Sequence, residues 1–161
     1  MNDTDNDQTP LYTIGTVARM LEVSVQTLRL YERRGLILTY KTEGNQRLYS
    51  KSDIERLKCI RAAIGDHKIS IEGIRRIQSM VPCWENVLCP MDQRVWCPAY
   101  AASDAGCWTY EHKSNVCAGR DCLHCKVYLV SGDCGNIKSL VHHQPNILSD
   151  TTDLKQKGNE G

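Results

Sequence analysis

The sequence predicts a mainly α-helical N-terminal domain of four helices and one small β-hairpin, followed by a small, irregular, cysteine-rich module. Three observations favour this organisation. Apolar residues recur every three or four positions in the first half of the chain, which is the spacing of a buried helix face. In the same half a Gly-Asn pair separates two short strand-like runs, as in a β-hairpin. Eight of the nine cysteines fall within residues 83–134.

The first two helices are predicted to form a close pair. The first has an apolar face made by residues at i, i+3, i+4 and i+7, which are Ile14, Val17, Ala18 and Leu21. Ser24 is a good N-cap for the second helix, which is expected to stop at Gly35. Two short helices separated by a tight turn, the second of them basic, are typical of a helix-turn-helix.

A hairpin and two more helices are predicted to follow. Gly44-Asn45 marks the hairpin tip, and a hairpin with basic flanks after a helix-turn-helix is interpreted as a wing. Ser52 and Glu55 have the spacing of a capping box for the third helix. Ser70 can cap the fourth helix. The inward-facing residues of these two helices would be Ile54, Leu57, Ile60, Ile64, Ile71, Ile74 and Ile77.

Charge is unevenly distributed, although the formal net charge is only +1. Residues 25–61 hold nine Lys/Arg against four Asp/Glu, whereas residues 83–134 hold four against six. The basic half suits a polyanionic partner. The polar, acidic start and the lack of a long apolar run predict neither a signal peptide nor a membrane segment. We therefore expect a cytoplasmic protein that does not contact a membrane, in which disulfides are disfavoured.

The second helix is predicted to contact double-stranded DNA. A helix fits the major groove, and Gln and Arg can each make bidentate contacts with a base. The candidates for base contacts in its first turns are Val25, Gln26 and Arg29. The other candidate DNA-binding residues, mostly suited to phosphate contacts, are Tyr31, Arg33, Arg34, Asn45, Arg47 and Tyr49. The alternative is that these side chains are simply solvated.

Residues 11–80 resemble the N-terminal domain of the MerR family of transcriptional regulators. The string TLRLYERRGL at residues 27–36 resembles the recognition helix of that family, and NQRLYS at residues 45–50 resembles its wing. Leu30 and the run at residues 73–77 resemble the heat-shock-repressor branch of the family. The resemblance implies a winged helix-turn-helix and a regulator that is not an enzyme.

The same resemblance implies partners. Such proteins bind pseudo-palindromic operators as homodimers, and many deform promoter DNA to control transcription by RNA polymerase. Most members dimerise through a long helix after the fourth helix. No heptad pattern of that kind is visible here, because the cysteine-rich module begins directly after Pro82. The dimerisation surface, the operator, the signal and the choice between activation and repression stay open.

Residues 83–134 contain an internal repeat of the form C-W…C…C-x-x-Y. The first copy comprises Cys83-Trp84, Cys89 and Cys97 to Tyr100, and the second comprises Cys107-Trp108, Cys117 and Cys125 to Tyr128. The four Trp and Tyr side chains are expected to form the core of this module. The arrangement resembles a two-CW cysteine module, which occurs in bacterial sensor and signalling proteins attached to other output domains.

Eight thiols suit two four-cysteine sites. The candidate ligands are Cys83, Cys89, Cys97, Cys107, Cys117, Cys122, Cys125 and Cys134. Zinc ions and iron–sulfur clusters are both compatible with this set, and disulfides or free thiols are a third possibility. Either His112 or His124 could replace a cysteine, and His124 is preferred because it lies between two candidate ligands. Cys59, in the third helix, is expected to be a small buried apolar residue.

Three functional hypotheses remain open at this stage. The first is a DNA-binding regulator whose module senses metal or redox state, and a variant of it has purely structural zinc. The second is a protein-binding adaptor. The third is a thiol–disulfide oxidoreductase that uses Cys122 and Cys125, although no βαβ pattern surrounds them. Residues 1–10 and 135–161 are predicted to be flexible tails.

Overall fold

The computed structural model describes residues 7–134, which are mainly helical and include one small three-stranded antiparallel sheet. Within that range no helix is long and apolar enough to cross a membrane. Asp7 is held by an ion pair with Lys51 at 3.0 Å. The predicted C-terminal tail and residues 1–6 lie outside the described residues.

The first two helices agree with the sequence prediction. Helix α1 (Ile14–Met20) begins at Thr13, whose side chain accepts a hydrogen bond from the Thr16 amide. Helix α2 (Val25–Arg33) begins at Ser24, whose side chain accepts from the Thr27 amide. Gly35 follows α2 with a φ of 72°, a left-handed conformation that glycine adopts without strain.

The sheet contains one strand more than the predicted hairpin. Strand β2 (Tyr40–Lys41) pairs with β3 (Arg47–Tyr49), as the hairpin prediction requires. Strand β1 (Tyr12–Thr13) pairs with the other edge of β3, with Tyr12 opposite Tyr49. A strand of two residues is too short to show an alternating pattern, so the sequence did not reveal it.

Helices α3 (Lys51–Gly65) and α4 (Ile71–Ser79) complete the predicted set of four. The predicted capping box at Ser52 and Glu55 is wrong. The capping box is formed by Ser50, whose side chain accepts from the Asp53 amide, and by Asp53, whose carboxylate accepts from the Ser50 amide. Helix α4 is capped by Ser70, as predicted.

The cysteine-rich segment consists of very short helices joined by irregular chain. Its elements are α5 (Cys83–Asn86), α6 (Met91–Arg94), α7 (Pro98–Ala101), the 3-10 turns Cys107–Thr109 and Cys122–His124, and α8 (Lys126–Ser131). This agrees with the predicted irregular module.

The main hydrophobic core lies between the helices of the N-terminal half and the sheet. Its buried members include Val17, Leu28, Leu36, Leu57 and Ile74. A second buried group in the cysteine-rich segment contains Trp108, Val127 and Tyr128. Trp84 is only half-buried and Tyr100 is 40% exposed. Only the second copy of the repeat therefore supplies fully buried aromatic side chains, in contrast to the expectation that all four would be core.

Candidate DNA interface and cysteine cluster

One face of α2 presents polar and basic side chains to solvent. Gln26, Arg29 and Arg33 are exposed, and Val25 is half-buried. The three exposed side chains are spaced at i, i+3 and i+7, so they lie on the same side of the helix. Leu28 and Tyr31 occupy the opposite, buried face. Two of the three predicted base-contacting residues, Gln26 and Arg29, therefore lie with Arg33 on an accessible surface.

Two predicted phosphate contacts are wrong for this conformation. Tyr49 is fully buried and Tyr31 is 6% exposed, so both rings belong to the hydrophobic core. Burial also raises the pKa of the Tyr49 hydroxyl to about 12. These side chains cannot reach a phosphate unless the core opens. Both were proposed as phosphate contacts from residue type and position in the helix or hairpin, which do not reveal burial.

The other candidate DNA-binding residues lie at or near the surface. Arg34 is exposed and forms an ion pair with Glu72 on α4 at 2.8 Å. Asn45 is exposed at the hairpin tip, with a φ of 60°. Arg47 is half-buried, because it forms an ion pair with Glu32. Arg34 and Arg47 must share or exchange these carboxylate partners if they contact a phosphate.

Glu32 connects α2 to the hairpin. Its carboxylate lies 2.5 Å from Nε of Arg47 on β3 and 3.4 Å from Nζ of Lys41 on β2. Burial raises the pKa of Glu32, but hydrogen bonding to Arg47 and the charges of Arg47 and Lys41 outweigh it, so the pKa lies below its ordinary value. Local sequence patterns do not reveal this ion-pair network, because its partners are separated by the turn and the hairpin tip.

Seven cysteine thiols form one connected group, here called the cysteine cluster. Its members are Cys83, Cys89, Cys97, Cys107, Cys117, Cys122 and Cys125, all with free thiols. Cys107 shares a hydrogen bond with Cys83 and interacts electrostatically with Cys122 and Cys125. Cys89 interacts in the same way with Cys83 and Cys97, and Cys117 with Cys83. Seven of the eight predicted ligands are therefore free thiols, and electrostatic interactions connect them to one another.

The thiols of the cysteine cluster differ in acidity. Its hydrogen bond with Cys107 lowers the pKa of Cys83 to about 7, against the opposing effect of burial. The same hydrogen bond, together with burial, raises the pKa of Cys107. Burial raises the pKa of Cys117 to about 11. Cys83 therefore ionises more readily than Cys107 or Cys117.

The eighth predicted ligand, Cys134, is not in the cluster. It forms a disulfide with Cys59 of α3, across a sequence separation of 75 residues. Two predictions are therefore wrong in this structure: Cys134 is not a free ligand, and Cys59 is a half-buried disulfide partner rather than an isolated apolar residue. Sequence spacing could not reveal the pair, because its members lie in separate halves of the chain.

The histidine that approaches the cluster is His112, not His124. The Nδ1 atom of His112 lies 3.8 Å from the Cys97 sulfur, and its Nε2 atom lies 2.9 Å from the Cys107 carbonyl oxygen. His124 instead pairs with Asp121 at 2.6 Å on the exposed surface. The preference for His124, which rested on sequence proximity, is corrected.

Soft thiolate donors are suited to zinc and iron–sulfur clusters. In residues 7–134, however, no three cysteine, histidine, aspartate or glutamate side chains are arranged to hold one metal ion. The cysteine cluster thus has the donor chemistry for metal, but its side chains would have to move to form a complete site.

Comparison with known proteins finds similarity in the N-terminal half of the chain. Residues 12–81 match the model of the MerR HTH family regulatory proteins. HspR of Streptomyces coelicolor, named as a heat shock protein, is 39% identical over 71 residues, which cover 44% of this chain and 47% of HspR. The HTH-type transcriptional regulator ZntR of Escherichia coli K12 is 42% identical over 73 residues, covering 44% of this chain and 50% of ZntR.

A third relative matches a similar share of the chain. The HTH-type transcriptional regulator GlnR of Bacillus cereus is 32% identical over 76 residues, which cover 47% of this chain and 58% of GlnR. The chain thus spans about half the length of the relatives it matches, and the cysteine-rich segment lies outside the family match. ZntR and GlnR are both named as transcriptional regulators, the class of protein that the sequence predicts. Residues 12–81 are therefore similar to the helix-turn-helix domain of MerR-family regulators, and the similarity does not extend to the rest of the chain.

Proposed function

We propose that the protein is a sequence-specific DNA-binding transcriptional regulator in which α2 enters the major groove. The observation that carries this proposal is the exposed face of Gln26, Arg29 and Arg33 within a helix-turn-helix domain of the MerR family. Gln and Arg are side chains that distinguish bases by bidentate hydrogen bonds. The hairpin beside α2 is the proposed wing, with Asn45 at its tip and Arg47 at its base.

The proposed DNA partner is a pseudo-palindromic operator, bound by a homodimer near RNA polymerase. Support comes from the family of the helix-turn-helix domain and from ZntR and GlnR, which are named as transcriptional regulators. Arg33 and Arg34, at the end of α2, are proposed to contact phosphates and so to fix the orientation of α2 in the groove.

Replacement of Arg29 tests this assignment. Duplexes are first selected from a random-sequence library by the wild-type protein. Arg29→Ala should weaken binding to the selected duplex by roughly 5- to 150-fold, because one bidentate base contact contributes about 1–3 kcal/mol. Affinity is measured by fluorescence anisotropy at fixed salt, and helix content by circular dichroism.

Arg120→Ala is the matched control, since Arg120 is an exposed arginine of the cysteine-rich segment. It removes the same charge and should leave the affinity nearly unchanged. Undiminished specific binding by Arg29→Ala, with the wild-type protein selecting a defined site, would show that the base-contacting helix is assigned incorrectly.

The cysteine cluster is proposed to bind zinc or an iron–sulfur cluster and to sense metal or redox state. The support is the presence of seven free thiols in the cysteine-rich segment, which interact electrostatically with one another. Anaerobic purification followed by visible absorption and metal analysis distinguishes the two cofactors. A brown protein with matched iron and sulfide indicates clusters, whereas a colourless protein with stoichiometric zinc indicates zinc.

Removal of the metal then distinguishes a sensor from a structural site. A sensor changes its DNA affinity while its fold persists, whereas purely structural zinc unfolds the cysteine-rich segment when it is removed. A protein that contains neither metal nor sulfide after anaerobic purification would contradict both versions of the proposal.

A further inference from the structure

A cavity lies between helices α3 and α4 and the end of α8, and it is here called the α3–α4 cavity. Its volume is about 360 Å³, which falls in the range of small-molecule sites in proteins. Much of its wall consists of aliphatic side chains from the two helices and the turn between them, namely Ile60, Ala63, Ile69, Ile74 and Ile77. Such a wall gives water few hydrogen-bond partners and therefore favours an apolar occupant.

The remaining wall comes from the end of the cysteine-rich segment. Ser131, Gly132 and Cys134 line the cavity on this side. The disulfide between Cys134 and Cys59 ties this wall to α3. The cavity is therefore formed only when both halves of the chain are folded together.

One buried polar side chain of the cavity wall lacks a hydrogen-bond partner. Gln78 is 6% exposed, and its Nε2 atom donates to the Leu36 carbonyl oxygen at 3.4 Å. Its Oε1 atom is buried and accepts no hydrogen bond from the part of the chain that the structure describes. A buried acceptor without a donor is unfavourable. Because the bond to Leu36 is long, a small rotation of the Gln78 amide can bring Oε1 to a donor inside the cavity.

The charges around the cavity favour a neutral occupant. Arg56, which is 3% exposed, is the buried cation of the wall. Its guanidinium donates hydrogen bonds to oxygen atoms of Leu36, Tyr128 and Ser131 at 2.9, 2.6 and 3.2 Å. Within residues 7–134, no aspartate or glutamate lines the cavity. A ligand cation would therefore be buried without a counter-ion, and a ligand anion would have to displace bonds that Arg56 already makes.

We propose that the α3–α4 cavity binds a neutral, mainly apolar small molecule that donates one hydrogen bond to Gln78. The aliphatic wall contributes affinity, because it removes the apolar surface of the ligand from water. Gln78 contributes specificity for a ligand with an N–H or O–H group. The proposal goes beyond the proposed function, since binding in this cavity requires neither DNA nor a metal ion.

Binding of N-phenyl-1-naphthylamine to the full chain tests the site. This probe is neutral and apolar, has a single N–H donor, and fluoresces more strongly in apolar surroundings. 1-Benzylnaphthalene replaces the N–H by a methylene group and is measured by competition. The protein is treated with chelator but not reduced, so that the Cys59–Cys134 disulfide stays closed. The preference for the amine over the hydrocarbon should be roughly 2- to 12-fold larger in the wild type than in Gln78→Leu, because only the wild type has the acceptor.

A second variant fills the cavity. Ala63→Phe adds a ring to the wall and should weaken the binding of both compounds by about tenfold or more, since the ring takes the space of the ligand. Ala118→Phe adds the same ring at an exposed position outside the cavity and is the matched control. Circular dichroism and urea unfolding check that each variant is folded.

Absence of amine binding by the wild type overturns the proposal, as does an equal preference for the amine in the wild type and Gln78→Leu. Undiminished binding by folded Ala63→Phe also overturns it. Loss of binding in Trp96→Gln would place the probe on the surface of the cysteine-rich segment instead, because Trp96 is 85% exposed. Tighter binding of 2-naphthoate than of 2-naphthol to the wild type would overturn the neutral ligand class.

Discussion

Cys83 has its thiol hydrogen-bonded to that of Cys107, and this contact lowers the pKa of Cys83 to about 7. The thiolate is the reactive form of cysteine. In the reduced, metal-free protein we therefore expect the alkylation rate of Cys83 to rise with pH around a midpoint of about 7. Cys117 should react slowly across this range, because burial raises its pKa to about 11. Site-resolved mass spectrometry after short iodoacetamide pulses measures both rates.

Cys107→Ala removes the hydrogen bond to Cys83 and provides the test of its cause. The midpoint for Cys83 should then move up towards the ordinary thiol value of about 8.5. A midpoint for Cys83 near that ordinary value in the wild-type protein would contradict the assignment of the hydrogen bond.

At the residue scale, the sequence predicted two helix N-caps correctly but did not predict which side chains are buried. Ser24 and Ser70 cap helices as predicted, because an N-cap depends only on the next three residues. Tyr49 was predicted as a phosphate contact but is fully buried, since it belongs to a core whose other members, such as Val17 and Leu28, are distant in the sequence. A helix cap depends on a short sequence segment, whereas the burial of a side chain depends on all the residues that pack around it in the folded protein.

At the element scale, Glu32 connects α2 to the hairpin by ion pairs with Arg47 and Lys41. Glu32→Gln should lower the free energy of unfolding at pH 7 by roughly 1 kcal/mol, because it removes a half-buried ion pair but keeps the side-chain volume. Urea unfolding of the wild-type and variant proteins at several pH values measures this difference. Glu43→Gln, an exposed change at the hairpin tip, should have almost no effect.

The contribution of Glu32 to the free energy of unfolding should decrease as the pH is lowered. The pKa of Glu32 is lowered in the folded protein from a reference value of 4.5, so the stabilisation is fully present above about pH 4.5. It is lost as the pH falls through the lower, folded-state pKa. A difference between wild type and Glu32→Gln that grows on acidification would contradict the ion-pair assignment.

At the scale of the whole molecule, the Cys59–Cys134 disulfide connects α3 to the chain just beyond α8. It closes a loop that spans 75 positions of the sequence. Cys59→Ser should lower the free energy of unfolding by about 4 kcal/mol under oxidising conditions, because the open loop makes the unfolded chain more disordered. Under strongly reducing conditions the variant and the wild type should differ little.

Cys134→Ser and the double variant complete this experiment. Each single change breaks the same bond, so the double variant should be no less stable than either single variant. Additive losses would show that the two cysteines stabilise the protein separately rather than as a disulfide. Disulfides are disfavoured under reducing conditions, so the state of this bond depends on the redox conditions around the protein.

The sequence by itself determined the helix-turn-helix, the hairpin, the order of the four helices and the concentration of thiols in the second half. These features depend on periodicity, caps and turns within a few residues of each other, and on composition. Only the tertiary structure decided the burial of Arg56 and the pairing of Cys59 with Cys134. The same is true of the hydrogen bonds that Trp108 and Tyr128 make to Gly35 and Leu38. Their contacts join residues 72 to 90 positions apart, and the chain path that brings such residues together is not encoded in any local pattern.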